Sequence, residues 1–240
     1  MRRHSWLLLL LLPLAAATAG GPPAVKVEDE PFHRLVLGSP QARVFLLELP
    51  AGKTTLPHRH EHDYVRVTLN DAEVQDARVD HALALTQTLY AGHVRFFHGP
   101  VEHRIRNAEG FATYRAYTVE ILKQSAQPYS YPPTVESVYD YDVLPFAMEP
   151  EKTGVTSLDR DTVRMLRYQI RPGESLPPHS TAGPALLIAL TDAQLDEKVS
   201  EEQTEALTYT AGDAQWFSGV GHQLTNTGKD PAQFIVLEFK

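Results

Sequence analysis

The sequence predicts an all-β chain made of two copies of one small antiparallel domain. Two observations carry this prediction: a long internal repeat, and a series of short apolar segments bounded by turn residues. Gly52, followed after five residues by His58, recurs as Gly173 and His179, an offset of 121. Matching residues in one order over about a hundred positions are typical of a duplicated domain.

The second half of each copy repeats as well. A glycine, a histidine and an asparagine recur at offsets of 120, 119 and 119, namely Gly92, His103 and Asn107 as Gly212, His222 and Asn226. The drift in offset predicts that the second copy has lost two residues in all, one of them between Gly212 and His222. We therefore expect the copies to superpose strand on strand.

The first element is an export signal at residues 1–19. Arg2 and Arg3 precede an apolar stretch over residues 7–14, and Ala17-Thr18-Ala19 fits a cleavage site. The apolar stretch is shorter than the roughly 18–20 residues of a membrane span, so we expect no stable membrane anchor. The sequence predicts cleavage and export, to the periplasm or the extracellular space.

Residues 20–30 are predicted to be an N-terminal linker, and residues 31–125 the first domain. Segments of four to ten residues bounded by Gly, Pro, Asn and Asp fit an antiparallel sandwich or barrel. The predicted strands of the first domain are 43–49, 60–69, 82–90, 93–97 and 113–122. Residues 126–156, rich in Pro, Tyr and Asp, are predicted to connect it to the second domain at residues 157–240.

Composition excludes several kinds of partner and ligand. The formal net charge is −8 and there is no basic stripe, so we expect no nucleic-acid partner. Removal of residues 1–19 takes away two of the 22 basic residues and none of the 30 acidic ones, which leaves a net charge of −10.

The chain has no cysteine, so disulfides and thiolate ligands are excluded, and a metal must be held by His, carboxylate, Tyr or water. The sequence allows a homo-oligomer.

The repeated motifs resemble those of the cupin superfamily, and their duplication resembles a bicupin. Gly52-x5-His58-x-His60 looks like the first cupin motif, and Gly92 with His103 and Asn107 looks like the second. The resemblance implies two small antiparallel β-barrels of jelly-roll type, also called double-stranded β-helices. It further implies a divalent metal ion held by two histidines and an acid of the first motif and one histidine of the second.

Carried over by position, the three histidine ligands are His58, His60 and His103. The acid position is Tyr64, so the usual carboxylate ligand is missing. Three neutral imidazoles suit Fe, Mn, Zn, Ni or Cu with positions left open for water or substrate, but they leave the charge of a dication unbalanced. The missing anion could be a substrate carboxylate or enolate, a hydroxide, or the tyrosinate of Tyr64.

Alternation along a strand adds candidates near this site. If the strand of His60 stays regular, every second residue after it shares its face: His62, Tyr64, Arg66 and Thr68. His62 and Asp63 are further candidate ligands, Asp63 through a small local bulge. A buried guanidinium needs a partner, and for Arg66 the candidates are Glu120, Glu48 or an acidic ligand. Residues 59–63 on their own are also typical of a solvated charged turn.

The second copy has lost this chemistry. Thr181 stands at the place of His60, and Ala185 at the place of Tyr64. Positions 187 and 189 are Leu and Ala, which predicts an apolar, packed interior. We therefore expect the second copy to bind no metal and to be structural.

The function predicted from these residues is an exported, metal-dependent oxidoreductase of dioxygenase type acting on a small organic substrate. Tyr64 and Arg66 are its candidate catalytic residues, and one divalent ion in the first barrel is its cofactor. Three alternatives stay open at this point. They are a non-catalytic module that binds a sugar or organic acid, a metal-dependent isomerase or lyase, and a structural protein with no metal.

Overall fold

The computed structural model describes residues 23–78, 84–126, 141–143, 155–176, 183–200, 202–217 and 223–240. The predicted signal and most of the predicted connection lie outside these ranges. Apart from one 3₁₀ turn at Val27–Asp29, all regular elements in the described part of the chain are β-strands. No helix among the described residues is long and apolar enough to cross a bilayer.

The first barrel has two sheets. Its strands are β1 (Val25–Lys26), β2 (His33–Gly38), β3 (Ala42–Leu49), β4 (His58–His60), β5 (Tyr64–Thr68), β6 (Ala72–Arg78), β7 (Leu85–Leu89), β8 (Val94–Phe97), β9 (Val101–Asn107), β10 (Tyr114–Ile121) and β11 (Tyr141–Val143). One sheet has the order β1-β4-β9-β6-β7 and the other the order β11-β8-β5-β10-β3-β2. Only β1 and β4 pair in parallel; the other neighbours in these sheets are antiparallel.

The second barrel repeats this architecture. Its strands are β12 (Val155–Asp159), β13 (Val163–Ile170), β14 (Ala185–Ala189), β15 (Ala193–Lys198), β16 (Thr204–Tyr209), β17 (Ala214–Phe217), β18 (Gln223–Asn226) and β19 (Ala232–Phe239). Their orders, β12-β13-β19-β14-β17 and β16-β15-β18, match β2-β3-β10-β5-β8 and β7-β6-β9. The predicted all-β fold of two tandem antiparallel barrels is confirmed.

The repeat holds at the level of single residues. Asn107 donates hydrogen bonds from its amide nitrogen to the carbonyl oxygens of Leu49 and Ala112, and Asn226 donates the equivalent pair to Ile170 and Asp230. Gly52 and Gly173 both turn the chain with a positive φ, 71° and 76°, which favours glycine. The repeated asparagine and glycine are therefore parts of the scaffold. His179 and His222 lie outside the described residues.

The strand predicted over residues 60–69 is interrupted. It forms two strands, β4 and β5, which belong to different sheets, because the chain turns a corner of the barrel at residues 61–63. The corner is closed by Gly99, whose N–H donates to Asp63 Oδ1 at 2.9 Å. A Cβ at Gly99 would lie 2.4 Å from the backbone of His62, so only glycine fits this approach.

The predicted linker is also partly folded. Residues 25–30 form β1, which pairs with β4, and a 3₁₀ turn that ends at the buried Glu30. This segment covers the strand that carries His58 and His60. The N-terminal region is thus built into the first barrel rather than tethering it.

The two barrels pack through the outer faces of their larger sheets. Val65 and Val67, on the outer face of β5, share one buried apolar cluster with Leu186 and Ile188 of β14. The opposite face of β5 carries the polar residues Tyr64, Arg66 and Thr68 into the first barrel, as alternation predicts. Inside the second barrel the interior is apolar, with Ala185, Leu187 and Ala189 in its core.

Candidate metal centre

The structure brings together the three histidines that the motifs single out. His58 and His60 lie two residues apart on β4, so both side chains point to the same face, and His103 on β9 pairs opposite His58. The ring centroids are 4.5 Å apart for His58 and His103, 5.1 Å for His58 and His60, and 5.3 Å for His60 and His103. All three side chains are buried.

A fourth histidine, His33, lies in the same cluster. It stands at the start of β2, and its ring centroid is 4.7 Å from that of His58 and 6.0 Å from that of His60. One ring nitrogen of each of these three histidines lies within 4.8 Å of the others. His33 lies outside both sequence motifs, so nothing in their spacing could have indicated it.

Four histidines therefore form one cluster, in which the ring centroids of His33 and His103 lie 4.7 and 4.5 Å from that of His58. The set of ring nitrogens that lie within 4.8 Å of one another includes one from His33 and none from His103. His103 belongs to the same cluster, because its ring centroid is 4.5 Å from that of His58 and its Nε2 atom is buried without a hydrogen-bond partner.

Each of the four rings is held by its Nδ1 atom. The partners are two carboxylates at the ends of other strands, one carboxylate next to the 3₁₀ turn, and one backbone carbonyl. They are Glu120 Oε1 for His60 (3.1 Å), Asp76 Oδ1 for His103 (2.8 Å), Glu30 Oε2 for His33 (2.7 Å) and the Leu56 carbonyl oxygen for His58 (2.9 Å). Nδ1–H donation to such acceptors leaves Nε2 as the ligand atom, the arrangement found around histidine-bound metals.

The Nε2 atoms of His58 and His103 support a metal site independently of the motifs. Both are buried and make no hydrogen bond. A buried polar atom without a partner costs about 1–3 kcal/mol, so such atoms are expected to have a ligand. Converging imidazole nitrogens suit Fe, Mn, Zn, Ni or Cu, and the residues present fit a divalent ion of this kind.

The protonation of the cluster also favours metal binding. Burial, followed by the charges of the neighbouring histidines, lowers the pKa of His58 and of His60 well below its usual value. Burial likewise lowers the pKa of His33, although Glu30 opposes this effect. These rings are therefore neutral at pH 7, and a neutral imidazole is the form that binds a metal.

Two buried carboxylates lie directly behind the imidazoles. Burial raises the pKa of Glu120, against the opposing attraction of Arg43. Burial would also raise the pKa of Asp76, but His103 and Arg66 outweigh it and hold that pKa well below its usual range. Asp76 is thus ionised, and its negative charge is hydrogen-bonded directly to the ring of the candidate ligand His103.

Tyr64 occupies the position where the sequence motif has its acid. Its ring centroid is 4.3 Å from that of His60 and 6.4 Å from that of His103, and it stacks on Phe97 at 4.5 Å with an interplanar angle of 10°. The side chain is buried. Tyr64 therefore forms one wall of the histidine cluster.

Arg66 points into the barrel as alternation predicts, and its charge partner is Asp76. Arg66 NH1 lies 3.0 Å from Asp76 Oδ2, both side chains are buried, and the guanidinium lies over the Phe97 ring at 5.0 Å. The partners predicted from the sequence were Glu120, Glu48 or an acidic ligand; Glu120 instead pairs with Arg43 at 2.6 Å. One carboxylate therefore holds both His103 and Arg66.

His62 and Asp63, the two further candidate ligands, lie at the corner between β4 and β5. The carboxylate of Asp63 accepts the hydrogen bond from Gly99 and lies 3.4 Å from His98 Nδ1. The nitrogen cluster formed by described residues does not include either residue. Their role as ligands stays a prediction.

The second barrel has no comparable set at its described positions. Tyr64 pairs opposite Glu120, and Ala185 pairs opposite Glu238 at the equivalent register, which confirms that alanine replaces the tyrosine. Leu187 follows at the position of Arg66. His179, Thr181 and His222 lie outside the described residues, so the loss of metal binding in this barrel stays a prediction.

No protein-family model matches the chain, and no curated protein matches it in sequence. Solved structures do match its fold. A cupin 2 conserved barrel domain protein from Leptotrichia buccalis is 12% identical, with a TM-score of 0.54 over 87% of this chain and 88% of the other. A variant of salicylate 1,2-dioxygenase from Pseudoaminobacter salicylatoxidans is also 12% identical, with a TM-score of 0.58 over 83% and 72%.

Oxalate decarboxylase from Bacillus subtilis, described with Mn(II) centres, is 15% identical, with a TM-score of 0.55 over 91% of this chain and 78% of the other. At these identities the likeness is one of fold. The chain has the jelly-roll fold of the cupin proteins, and its solved neighbours include enzymes named for small-molecule substrates.

Proposed function

We propose that this chain is an exported two-barrel cupin whose first barrel binds one divalent metal ion and acts as an oxidoreductase of dioxygenase type on a small organic substrate. The observation that carries the proposal is the set of buried imidazoles, each held by Nδ1 and two with an unpartnered Nε2. A site that orients its rings in this way is built for a ligand at Nε2.

The chemistry of the ion and the work of the protein are separate. When bound, a divalent ion held by imidazoles supplies open positions at which an organic substrate and O₂ can meet. The chain itself orients the rings, excludes water and balances charge. Asp76 and Glu120 fix two of the rings, and the stacked pair Tyr64 and Phe97 closes one side of the cluster.

Tyr64 is the candidate proton donor. Its ring lies against His60, at the place where the motif has a carboxylate. A phenol there can donate a hydrogen bond to an anion next to the ligand His60, whereas a carboxylate would repel it. We propose that the loss of the acid leaves the site cationic, so that it takes a substrate which is itself an anion, such as a carboxylate or an enolate.

Arg66 is proposed as a positioning residue. It pairs with Asp76, through which it acts on His103. Direct contact between Arg66 and a substrate stays a prediction.

The metal is tested first. Mature protein, purified without a His-tag, is expected to contain about one divalent ion per chain by elemental analysis. Protein that binds no ion after incubation with Fe²⁺, Mn²⁺ or Zn²⁺ would end the proposal in favour of a structural role.

Catalysis is tested next with metal-loaded protein. Candidate diols, aromatic hydroxy acids and small carboxylic acids are mixed with it, and dissolved O₂ and products are followed. O₂ uptake that is abolished in Tyr64→Phe supports the oxidoreductase. Product formed without O₂ uptake identifies the site as that of an isomerase or lyase, and binding with neither identifies a binding module.

A further inference from the structure

We propose that His33 is a fourth imidazole ligand of the ion in the first barrel, and that the buried Glu30 is its positioning residue. The N-terminal strap, defined as residues 25–33, then supplies one ligand and its positioning carboxylate to the metal centre. This inference rests on the metal site proposed above and extends it to residues outside both motifs.

The position of His33 is that of a ligand. One of its ring nitrogens lies within 4.8 Å of nitrogens of His58 and His60, and its ring centroid is 4.7 Å from that of His58. Metal–imidazole bonds are about 2.0–2.1 Å long, so two ligands on opposite sides of an ion are about 4.2 Å apart. The three nitrogens lie close to this span, so His33 is placed to converge with His58 and His60 on one ion.

Glu30 connects His33 to the rest of the site. One carboxylate oxygen lies 2.7 Å from His33 Nδ1 and also accepts the N–H of Phe32 at 2.9 Å; the other accepts the N–H of Leu56 at 3.2 Å. The carbonyl oxygen of Leu56 is in turn the acceptor for His58 Nδ1. A single buried carboxylate thereby orients two imidazoles.

A second connection runs from the strap to His60. Glu28 binds Arg43 at 3.0 Å, Arg43 binds Glu120 at 2.6 Å, and Glu120 binds His60 Nδ1. The strand β1 adds backbone pairing, since Val25 lies opposite His58. Three of the four rings therefore depend on the strap for their orientation.

The need for a fourth ligand follows from the residue at the acid position. Tyr64 replaces the carboxylate, so the motifs alone supply only three protein ligands. His33 supplies a fourth ligand atom that carries no charge, and the buried carboxylates of Glu30 and Asp76 lie behind the ligands that they orient. The sequence of the second copy has no histidine at the place of His33. Val155 is equivalent to Arg34 in strand register, and the residue before it in the sequence is Gly154.

X-ray absorption of Zn²⁺-loaded wild-type protein tests the proposal without any substitution. The expected first shell contains four imidazole nitrogens. A shell of three imidazoles with oxygen ligands would overturn the inference while leaving the metal site itself in place, whereas protein without bound zinc would end the proposed function.

Competitive Co²⁺ titration tests the two residues separately. His33→Ala is expected to weaken Co²⁺ binding by about 100-fold, and Glu30→Gln by about 10-fold, since the partners behind metal ligands typically contribute 10–100-fold. Two neighbours serve as matched controls because both are exposed: Arg34→Ala beside His33, and Asp29→Asn beside Glu30. Both controls are expected to bind Co²⁺ within 2-fold of wild type.

Circular dichroism of each variant separates loss of a ligand from loss of fold. Folded His33→Ala that binds Co²⁺ as tightly as Arg34→Ala would overturn the inference. If His33→Ala does not fold, the imidazole count in the wild-type protein decides the question.

Discussion

Glu120 and Glu238 occupy equivalent positions in the last strands of the two barrels, and each pairs with an arginine on the neighbouring strand. Glu120 binds Arg43, and Glu238 binds Arg164. In the first barrel the other carboxylate oxygen of Glu120 is used as well, because it accepts from His60 Nδ1. The same ion pair is thus repeated in the scaffold of both barrels, and in the first barrel its glutamate also contacts the candidate metal site.

This pair provides a test with its control inside the same chain. Glu120→Gln is expected to weaken metal binding by about 10-fold, because His60 loses the carboxylate that orients its ring and raises its basicity. Glu238→Gln removes the same charge from the same register position and is expected to leave metal affinity unchanged. Competition with a chelator measures both. Equal losses in the two variants would show that the effect is on the scaffold.

The duplicated histidines give a second comparison. His103→Ala is expected to lower metal occupancy sharply, since it removes an imidazole that is opposite His58. His222→Ala, the equivalent change in the second copy, should leave about one ion per chain. Elemental analysis of the two purified variants decides between one site and two. A similar loss in both would contradict the asymmetry predicted from the sequence.

Arg66 and Asp76 form an ion pair that is almost fully buried. Arg66→Leu, which introduces the residue present at the equivalent position 187, leaves Asp76 buried without its guanidinium. Breaking such a pair typically costs about 3–5 kcal/mol in the free energy of unfolding. Denaturant titration measures this cost.

Arg59 is the control for this effect, because its pairs with Glu61 and Glu102 are partly exposed to solvent. Arg59→Leu is expected to cost no more than about 1 kcal/mol. If Arg66→Leu were no more costly than Arg59→Leu, the buried pair would not be important to the fold.

Metal removal should lower thermal stability. A ligand at 100 times its dissociation constant stabilises the native state by about 2.7 kcal/mol, and each kcal/mol shifts Tm by roughly 2–4 °C for a protein of this size. Chelation with EDTA is therefore expected to lower Tm by about 5–10 °C, reversed by adding back the ion. The same treatment of His103→Ala should change Tm little.

Export is tested at the N-terminus. Residues 1–19 contain two arginines near the N-terminus, then an apolar stretch, and then an Ala-Thr-Ala cleavage site. Intact mass of the protein recovered from its native host is expected to correspond to a chain that begins near Gly20. Recovery of the full-length chain from the membrane fraction would contradict cleaved export.

Local patterns were enough to predict much of the fold. Strands β3 and β10 match the predicted segments 43–49 and 113–122 to within one residue at each end, and β8 matches 93–97. The break at residues 61–63 was missed because the residues on both sides continue to alternate. The strand changes sheet there because Gly99 from a distant segment approaches its backbone.

The sequence by itself determined the repeat, the strand character and the inward direction of His58 and His60. These follow from local properties, namely the two-residue period of a strand and the turn-forming glycines. Only the tertiary structure decided which residues stand behind and beside those histidines. Glu120 is 60 residues from His60, and Asp76 is 27 residues from His103. His33 reaches the cluster through the pairing of β2 with β3. Register between distant strands sets these neighbours, and no local pattern carries that information.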